Sequence, residues 1–333
     1  MRIANRRSGW FVTHHSRPLY ARDVGTWTDP VQCQSAFAVV MQGPVMTANE
    51  FTLETLRIYA HHFPSAKMIL STWTDTTPEV IENIRSFGID VVLSEKPADP
   101  GNLNINLQIT SASAGIRRAA ECGAEWVLKT RTDQRLYAPN LAEFLVGMAK
   151  AFPVCPNLRQ RHRIVSLGRG TLKFGLYHVS DQTVFGHIDD MVLYWKPPLR
   201  PSGLPEDWKE SIINIARHLA PESYFATQFL AKVGREVLWT VPDSWDIFAD
   251  HFCVVDPGVT DFFWPKYTKS MEYDRRYDCI DTHCELDFRE WLILYTARMN
   301  KRFNPEWNLA LREKLRVPVC PPGHISNDRS SPT

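Results

Sequence analysis

Four short β-type runs separated by three helical patterns fill residues 36–137, and this alternation limits the fold more than anything else in the chain. Phe37-Ala38-Val39-Val40-Met41 is an apolar run that stops at Gln42-Gly43-Pro44. Lys67 to Thr72 and Val91-Val92-Leu93 repeat the pattern. Trp126-Val127-Leu128 begins a fourth run that breaks without a spacer into Lys129-Thr130-Arg131-Thr132-Asp133-Gln134-Arg135. Between these runs, Thr47 and Glu50 have capping-box spacing and predict a helix ending near His62-Phe63-Pro64. Thr77-Pro78-Glu79 supplies a cap, a first-turn proline and a first-turn acid for a second helix ending at Gly88. A third helix is expected from about Asn106 to Cys122, closed by Gly123. Strands alternating with helices make βαβ units and a parallel sheet. Right-handed crossovers then place the strand ends on one edge. The loops at Gln42-Gly43-Pro44, Ser71 to Asp75, Ser94 to Pro97 and Thr130 to Arg135 should share that rim, where open α/β sheets bind ligands.

The second half is less regular. Leu141 to Ala151, Ser211 to Leu219, Pro221 to Val233 and Phe288 to Asn300 read as helices. Arg159 to Leu167 leads into Gly168-Arg169-Gly170, while Thr183-Val184-Phe185-Gly186 and Val237 to Val241 read as strands. Residues 1–35 show no period and form an irregular leader. Residues 317–333, rich in Pro, Ser, Gly and Asn, read as a disordered tail. One domain remains, with halves at 36–140 and 141–316.

Composition narrows the function. With 44% apolar and 23% charged residues, the chain has material for a sizeable core. A formal net charge of +1 argues against a dedicated nucleic-acid binder, which usually needs a basic face. No apolar run is long enough to span a bilayer, and the basic stretch Met1 to Gly9 is not followed by an apolar signal core, so a cytoplasmic location is the default expectation. Arg2, Arg6, Arg7, Arg17 and Arg22 suit acidic lipid headgroups or a phosphorylated acceptor, and equally a solubilising extension. Cys279, His283, Cys284 and Cys320 match no common zinc template, so isolated reduced thiols are expected.

An acidic residue flanked by cations at a strand end suits a metal ion carrying phosphates. Asp133 would bind the cation, with Lys129, Arg131 and Arg135 meeting phosphate oxygens or holding the carboxylate ionised. The turn at Gln42 and Gly43 offers backbone N–H groups to a nucleotide, or is a plain βα turn. It matches neither G-x-G-x-x-G nor G-x-x-x-x-G-K-[ST], which disfavours a dinucleotide site and excludes a P-loop. Asn102, Asn104, Asn106 and Gln108 place four amides near one helix start; capping accounts for one of them, and the others suit a base, ribose or sugar. Trp73 stacks on a base or packs in the core.

The segments containing QGP (Gln42 to Pro44), ILSTW (Ile69 to Trp73), VVLSEKP (Val91 to Pro97), NINLQ (Asn104 to Gln108) and VLKTRTDQR (Val127 to Arg135) occur in an order that resembles the WavE-type lipopolysaccharide synthesis proteins. The resemblance covers about residues 36–137 and, more weakly, extends to about residue 260. It implies a GT-A-like nucleotide-diphospho-sugar transferase fold, a Rossmann-like, mostly parallel sheet flanked by helices. Residues 36–140 would bind the nucleotide-sugar donor and 141–316 the acceptor, a glycan or lipid-linked glycan at the cytoplasmic face of the inner membrane. Asp133 takes the place of the metal-binding acidic motif, for Mn²⁺ or Mg²⁺. Arg131, however, stands where the first Asp of a D-x-D would be, and is an alternative source of positive charge for the diphosphate.

Transfer from such a donor creates a diphosphate leaving group, whose charge needs a cation or fixed guanidinium groups. An inverting enzyme also needs a base for the acceptor proton. Asp181 and Glu222 are the candidates; a turn residue and a helix-dipole carboxylate are their plain alternatives. His251 is a candidate metal ligand or diphosphate contact. The stretch Arg159, Arg161, His162, Arg163, Arg169 and Lys173 suits a phosphorylated acceptor. A sugar nucleotidyltransferase would use the same sheet but needs a glycine-rich basic loop that QGP does not provide. A non-catalytic glycan-binding assembly protein would need neither donor nor Asp133.

Overall fold

The computed structural model describes residues 3–5, 10–12, 33–264 and 285–299. The leader arginines, the Cys279/His283/Cys284/Cys320 group and the tail from residue 317 lie outside the described residues. Within the leader, β1 (Ile3–Asn5) and β2 (Trp10–Val12) pair as a short antiparallel ribbon, where the sequence suggested no regular structure.

The predicted alternation is present. The chain runs β3 (Phe37–Gln42), α1 (Phe51–His62), β4 (Lys67–Trp73), α2 (Pro78–Ser86), β5 (Asp90–Ser94), α3 (Ile105–Glu121) and β6 (Trp126–Arg131). It continues through β7 (Arg135–Leu136), α4 (Leu141–Ala151), β8 (Ile164–Leu167), β9 (Val184–His187), α5 (Ile188–Tyr194), α6 (Ile212–His218) and α7 (Pro221–Lys232). Then come α8 (Val241–His251), β10 (Phe252–Val255), α9 (Pro257–Thr260), β11 (Phe262–Phe263) and α10 (Phe288–Met299).

Seven strands from both halves form one mostly parallel sheet in the order β10-β8-β9-β6-β3-β4-β5, flanked by helices. All pairings are parallel except those of β9, which runs against both neighbours. Both faces are covered, which is why β3 is a continuous apolar run rather than an alternating one. Phe37 stacks on Phe63 at the end of α1, whereas Val40 faces α3 so closely that a Cβ at Gly115 would collide with it. Lys129 and Arg131 are level with Val40 and Gln42 in the register and share the α3 face.

Two consequences position the site. The ends of β3, β4, β5 and β6 form the predicted rim. Because β9 is reversed, the residues leading into it, Asp181 to Thr183, arrive at the same rim.

Two local expectations fail for physical reasons, and one strand carries no sequence signal. Thr47 and Glu50 form no capping box: Asn49 and Glu50 have positive φ, and α1 begins at Phe51. Instead, the Thr52 hydroxyl accepts the Met46 N–H (2.9 Å) and donates to the Thr132 carbonyl (3.0 Å). Val237 to Val241 is not a strand, because Thr240 caps α8 through the Asp243 N–H and Pro242 occupies the first turn. β10 follows α8 without a loop, so no turn signal marks it in the sequence.

Candidate active site

β6 delivers its two charged side chains, Lys129 and Arg131, to different places. Arg131 meets Asp133 through a two-point fork, with Nε to Oδ1 and Nη2 to Oδ2 both at 2.8 Å. The pair keeps partial access to solvent, 23% and 14% by side chain. Such paired N–H···O contacts fix orientation as well as charge. Lys129, two residues earlier, is fully buried. Its Nζ donates to the carbonyls of Asp181 (2.7 Å) and Gln182 (3.4 Å) and lies 4.4 Å from the centre of the Trp195 ring. Burial pushes its pKa down to about 7, partly offset by Asp181. It sits beneath the rim and supports the Asp181 loop from behind, so it does not reach phosphate as the sequence suggested.

Asp181 and Glu222 lie in one cluster. Asp181 Oδ2 accepts from Gln108 Nε2 at 2.8 Å, and only 5% of the residue is exposed. Glu222 opens α7, and its Oε2 lies 3.4 Å from His178 Nε2. Glu222 and His178 remain reachable, with side chains 23% and 17% exposed. Burial, then the nearby Asp181, raises the Glu222 pKa to about 8, against the opposing pull of its own amide and Arg131. Burial lowers the pKa of His178. The buried Tyr194 phenol is held well above its ordinary value by burial and by both carboxylates.

Further contacts hold the cluster in shape. The Ser223 hydroxyl donates to the Leu176 carbonyl (2.7 Å), the Ser166 hydroxyl to the Ser180 carbonyl (2.6 Å), and the Ser180 N–H to Thr171 Oγ1 (3.0 Å). Gly175 packs where a Cβ would meet His178 Cβ at 2.8 Å. His178 and Tyr194 carry no sequence signature and were missed; only the fold brings them beside Glu222.

Several expected site residues are committed elsewhere. The Gly43 N–H donates to the Ser71 carbonyl (3.0 Å), and buried Gln42 Oε1 accepts from Ser111 (2.5 Å). The turn therefore ties strand ends together and has no N–H at Gly43 to offer a nucleotide. Asn106 is buried and bonds both carbonyls and the amide of the 99–200 junction: Asp99 O (2.9 Å), Arg200 O (2.8 Å) and Arg200 N (2.8 Å). Asn102 similarly grips Gly203. Of the four amides, only Gln108 reaches the carboxyl cluster, and Asn104 is exposed at the left-handed start of α3. Trp73 is buried at the end of β4. Arg135 turns to α1, donating to Thr55 Oγ1 (2.9 Å), the Phe51 carbonyl (3.1 Å) and Tyr137 Oη (3.1 Å).

His251 is not near Asp133. It precedes Phe252, which pairs with Ile164 at the start of β8, so it lies at the opposite end of the strands. Its Nδ1 bonds Gln160 Oε1 at 2.7 Å, and burial lowers its pKa to about 4. The basic stretch also disperses. Arg163 is buried on the Ala249 and Phe152 carbonyls, Arg161 pairs with Asp189 and Lys173 with Glu290.

The expected cation ligand, Asp133, is already engaged by a guanidinium. Both Asp133 oxygens face Arg131, and no group of three His, Cys, Asp or Glu side chains among the described residues is arranged to hold a metal. Among the described residues, no helix is long and apolar enough to cross a membrane.

The model of the WavE lipopolysaccharide synthesis family matches residues 37–214, more than half of the chain. The chain belongs to the WavE family. The matched region contains the whole rim, the Arg131–Asp133 fork, Asp181 and His178, and ends before Glu222. No curated protein matches this WavE chain. Among solved structures, a glycosyltransferase involved in glycosylation of the major capsid of PBCV-1 is 13% identical, with 67% of this chain and 82% of that one covered at a TM-score of 0.31. Glucosyl-3-phosphoglycerate synthase from Mycobacterium tuberculosis, solved with Mn²⁺, UDP and its product, is also 13% identical, with 62% and 82% covered and a TM-score of 0.31. Mannose-1-phosphate geranyltransferase from Thermus thermophilus is 14% identical, with 58% and 68% covered at 0.32. These likenesses are distant, and the functional reading rests on the family and on the site.

Proposed function

We propose that this WavE protein is a glycosyltransferase that moves a sugar from a nucleotide-diphospho-sugar to a lipopolysaccharide core or other surface-polysaccharide acceptor. The observation that carries this reading is the partly exposed carboxyl–imidazole cluster of Glu222, Asp181 and His178, on the same strand-end rim as the Arg131–Asp133 fork. An acceptor hydroxyl needs a proton acceptor, and a departing diphosphate needs fixed positive charge. The rim has groups for both. Glu222 serves the acceptor, because Asp181 is nearly closed off and already takes the Gln108 amide. Arg131 meets the diphosphate, with Asp133 holding the guanidinium plane in place. No step is assigned to a metal. Exposed Asn104 is left as a donor contact, and residues 141–316 supply the acceptor side.

A thermal-shift screen of purified protein against UDP-, GDP-, CMP- and TDP-sugars, with and without Mn²⁺ or Mg²⁺, tests the reading. A ligand that binds only the folded state raises the melting temperature. One nucleotide family should raise it without added metal, and Arg131→Ala should abolish the shift. Silence from every donor in a well-folded sample would move the assignment to a glycan-binding assembly protein.

A further inference from the structure

We propose that Glu222 and His178 form a two-residue proton relay, in which Glu222 receives the acceptor hydroxyl's proton and His178 Nε2 finally holds it. The inference deepens the glycosyl-transfer reading and depends on it for its substrate.

His178 Nδ1 lies 3.0 Å from the Gly170 carbonyl oxygen, which can only accept, so Nδ1 carries a hydrogen. In the neutral ring, Nε2 is then bare and can only accept. The group facing it at 3.4 Å is Glu222 Oε2. A carboxyl at that distance, slightly beyond an ordinary hydrogen bond, can carry the proton and pass it to Nε2 as the gap closes. Burial supports this arrangement, since it favours the neutral form of both groups. The other charged or titratable groups acting on the pair are Asp181 on both members, Arg131 on Glu222, and Tyr194 beside the carboxylates. Lys129 lies behind, on the Asp181 carbonyl. The pair cannot drift apart easily: Ser223 ties α7 to the Leu176 carbonyl, and Gly175 lets the loop fold tightly under His178.

The step balances. The acceptor oxygen bonds to the anomeric carbon as the bond from that carbon to the diphosphate oxygen breaks, and the diphosphate leaves with the electron pair. The hydroxyl proton passes to Glu222 Oε1 while the proton on Oε2 passes to His178 Nε2. Glu222 ends as it began, protonated, and His178 ends as imidazolium with Nδ1 still on Gly170. Glu222 touches substrate. His178 accepts the proton through it, which explains how a carboxyl that is already protonated can serve a reaction needing a base.

The test uses the full chain labelled with ¹⁵N-histidine, with the His178 signal identified by its absence in His178→Gln. At pH 7, without donor, the ring should be neutral with Nδ1 protonated and Nε2 bare. Glu222→Ala should move the Nε2 resonance towards that of an unbonded imidazole nitrogen. A neutral ring protonated at Nε2, a cationic ring at pH 7, or an Nε2 resonance indifferent to Glu222→Ala would each overturn the relay. In a transfer assay, His178→Gln should lower kcat about 100-fold or more with donor KM unchanged, and should remove the acidic limb of the kcat/KM profile. Wild-type kcat in that variant would also overturn it. The tautomer is read without donor and the donor screen is read without the tautomer, so failure of the relay is distinct from failure of the glycosyltransferase reading.

Discussion

The two sides of the rim use polar residues in opposite ways. Along β3, β4 and the start of α3, the conspicuous residues are fasteners: the Gln42 side chain on Ser111, the Gly43 N–H on the Ser71 carbonyl, the Asn106 amide across to Arg200. Their hydrogen bonds are satisfied within the protein, as buried polar groups require. Around the reversed strand β9 and the start of α7, a carboxyl with its pKa raised to about 8 faces an imidazole whose pKa is lowered. Perturbed titration in a reachable cluster marks function better than a row of rim amides does. The difference arises from topology. Parallel strands end in loops that must be tied to each other, whereas the reversed strand brings a loop from the opposite direction and leaves charges to be matched at the meeting point.

That contrast can be broken by substitution. The largest effect is expected from Glu222→Gln, which should lower transfer by about 10²–10⁴-fold in a donor-turnover assay with the fold intact. Asn106→Ala should do the reverse, losing three part-buried hydrogen bonds and about 2–4 kcal/mol of stability in denaturant titration while turnover per folded molecule is kept. If Asn106→Ala removed turnover without loss of stability, the division between fasteners and chemistry would collapse. Gly43→Ala should cost about 1–3 kcal/mol, because φ is +122° and the new methyl group would meet Thr132 Oγ1 at 2.9 Å.

The pH dependence of stability sharpens the comparison. Glu222 has a folded pKa near 8, above its ordinary 4.5. Its contribution is full below about pH 4.5 and is lost as pH rises through about 8. The melting temperature of Glu222→Gln should therefore pull ahead of wild type across that window and hold its lead above it. Lys129 runs the other way, with a folded pKa near 7 against an ordinary 10.5. Its contribution is present above about pH 10.5 and lost as pH falls through about 7, so any gain from Lys129→Met should be greatest in acid. Melting curves from pH 5 to about 9 would check both, and parallel curves for the two variants would contradict the assignment. The smallest effect should come from Arg161→Ala, which breaks an exposed pair with Asp189 and should change stability by less than about 0.5 kcal/mol.

The fold was more legible than the site. The runs ending at Met41, Thr72 and Leu128 are buried because both sheet faces are covered there, the run ending at Leu93 is a half-buried edge strand, and Gly88, Gly123 and Pro78 punctuate the helices between them. In the second half, Val237 to Val241 has β character but is overruled by a cap and a proline, and β10 has no turn before it. Asp181 and Glu222 stand out in the sequence as acids near strand and helix starts, and the fold brings them together. The fates of Arg135 and Asn106 could not be read, because their partners are 80 and 94 residues away in sequence. A side chain that could grip phosphate can equally grip a distant carbonyl, and one sequence does not record which partner it finds. His178 looked like any loop histidine for the same reason.

The outer edge of the sheet has a practical consequence. The family match stops at residue 214, yet β8 is shielded by β10, at Phe252–Val255. A chain trimmed to the matched segment would expose Ile164–Leu167 as an apolar strand with unpaired amides and carbonyls, a template for edge-to-edge aggregation. Such a fragment should be recovered as inclusion bodies. It would also lack Glu222, so any of it rescued into solution would be a poor stand-in for the whole protein in an activity assay.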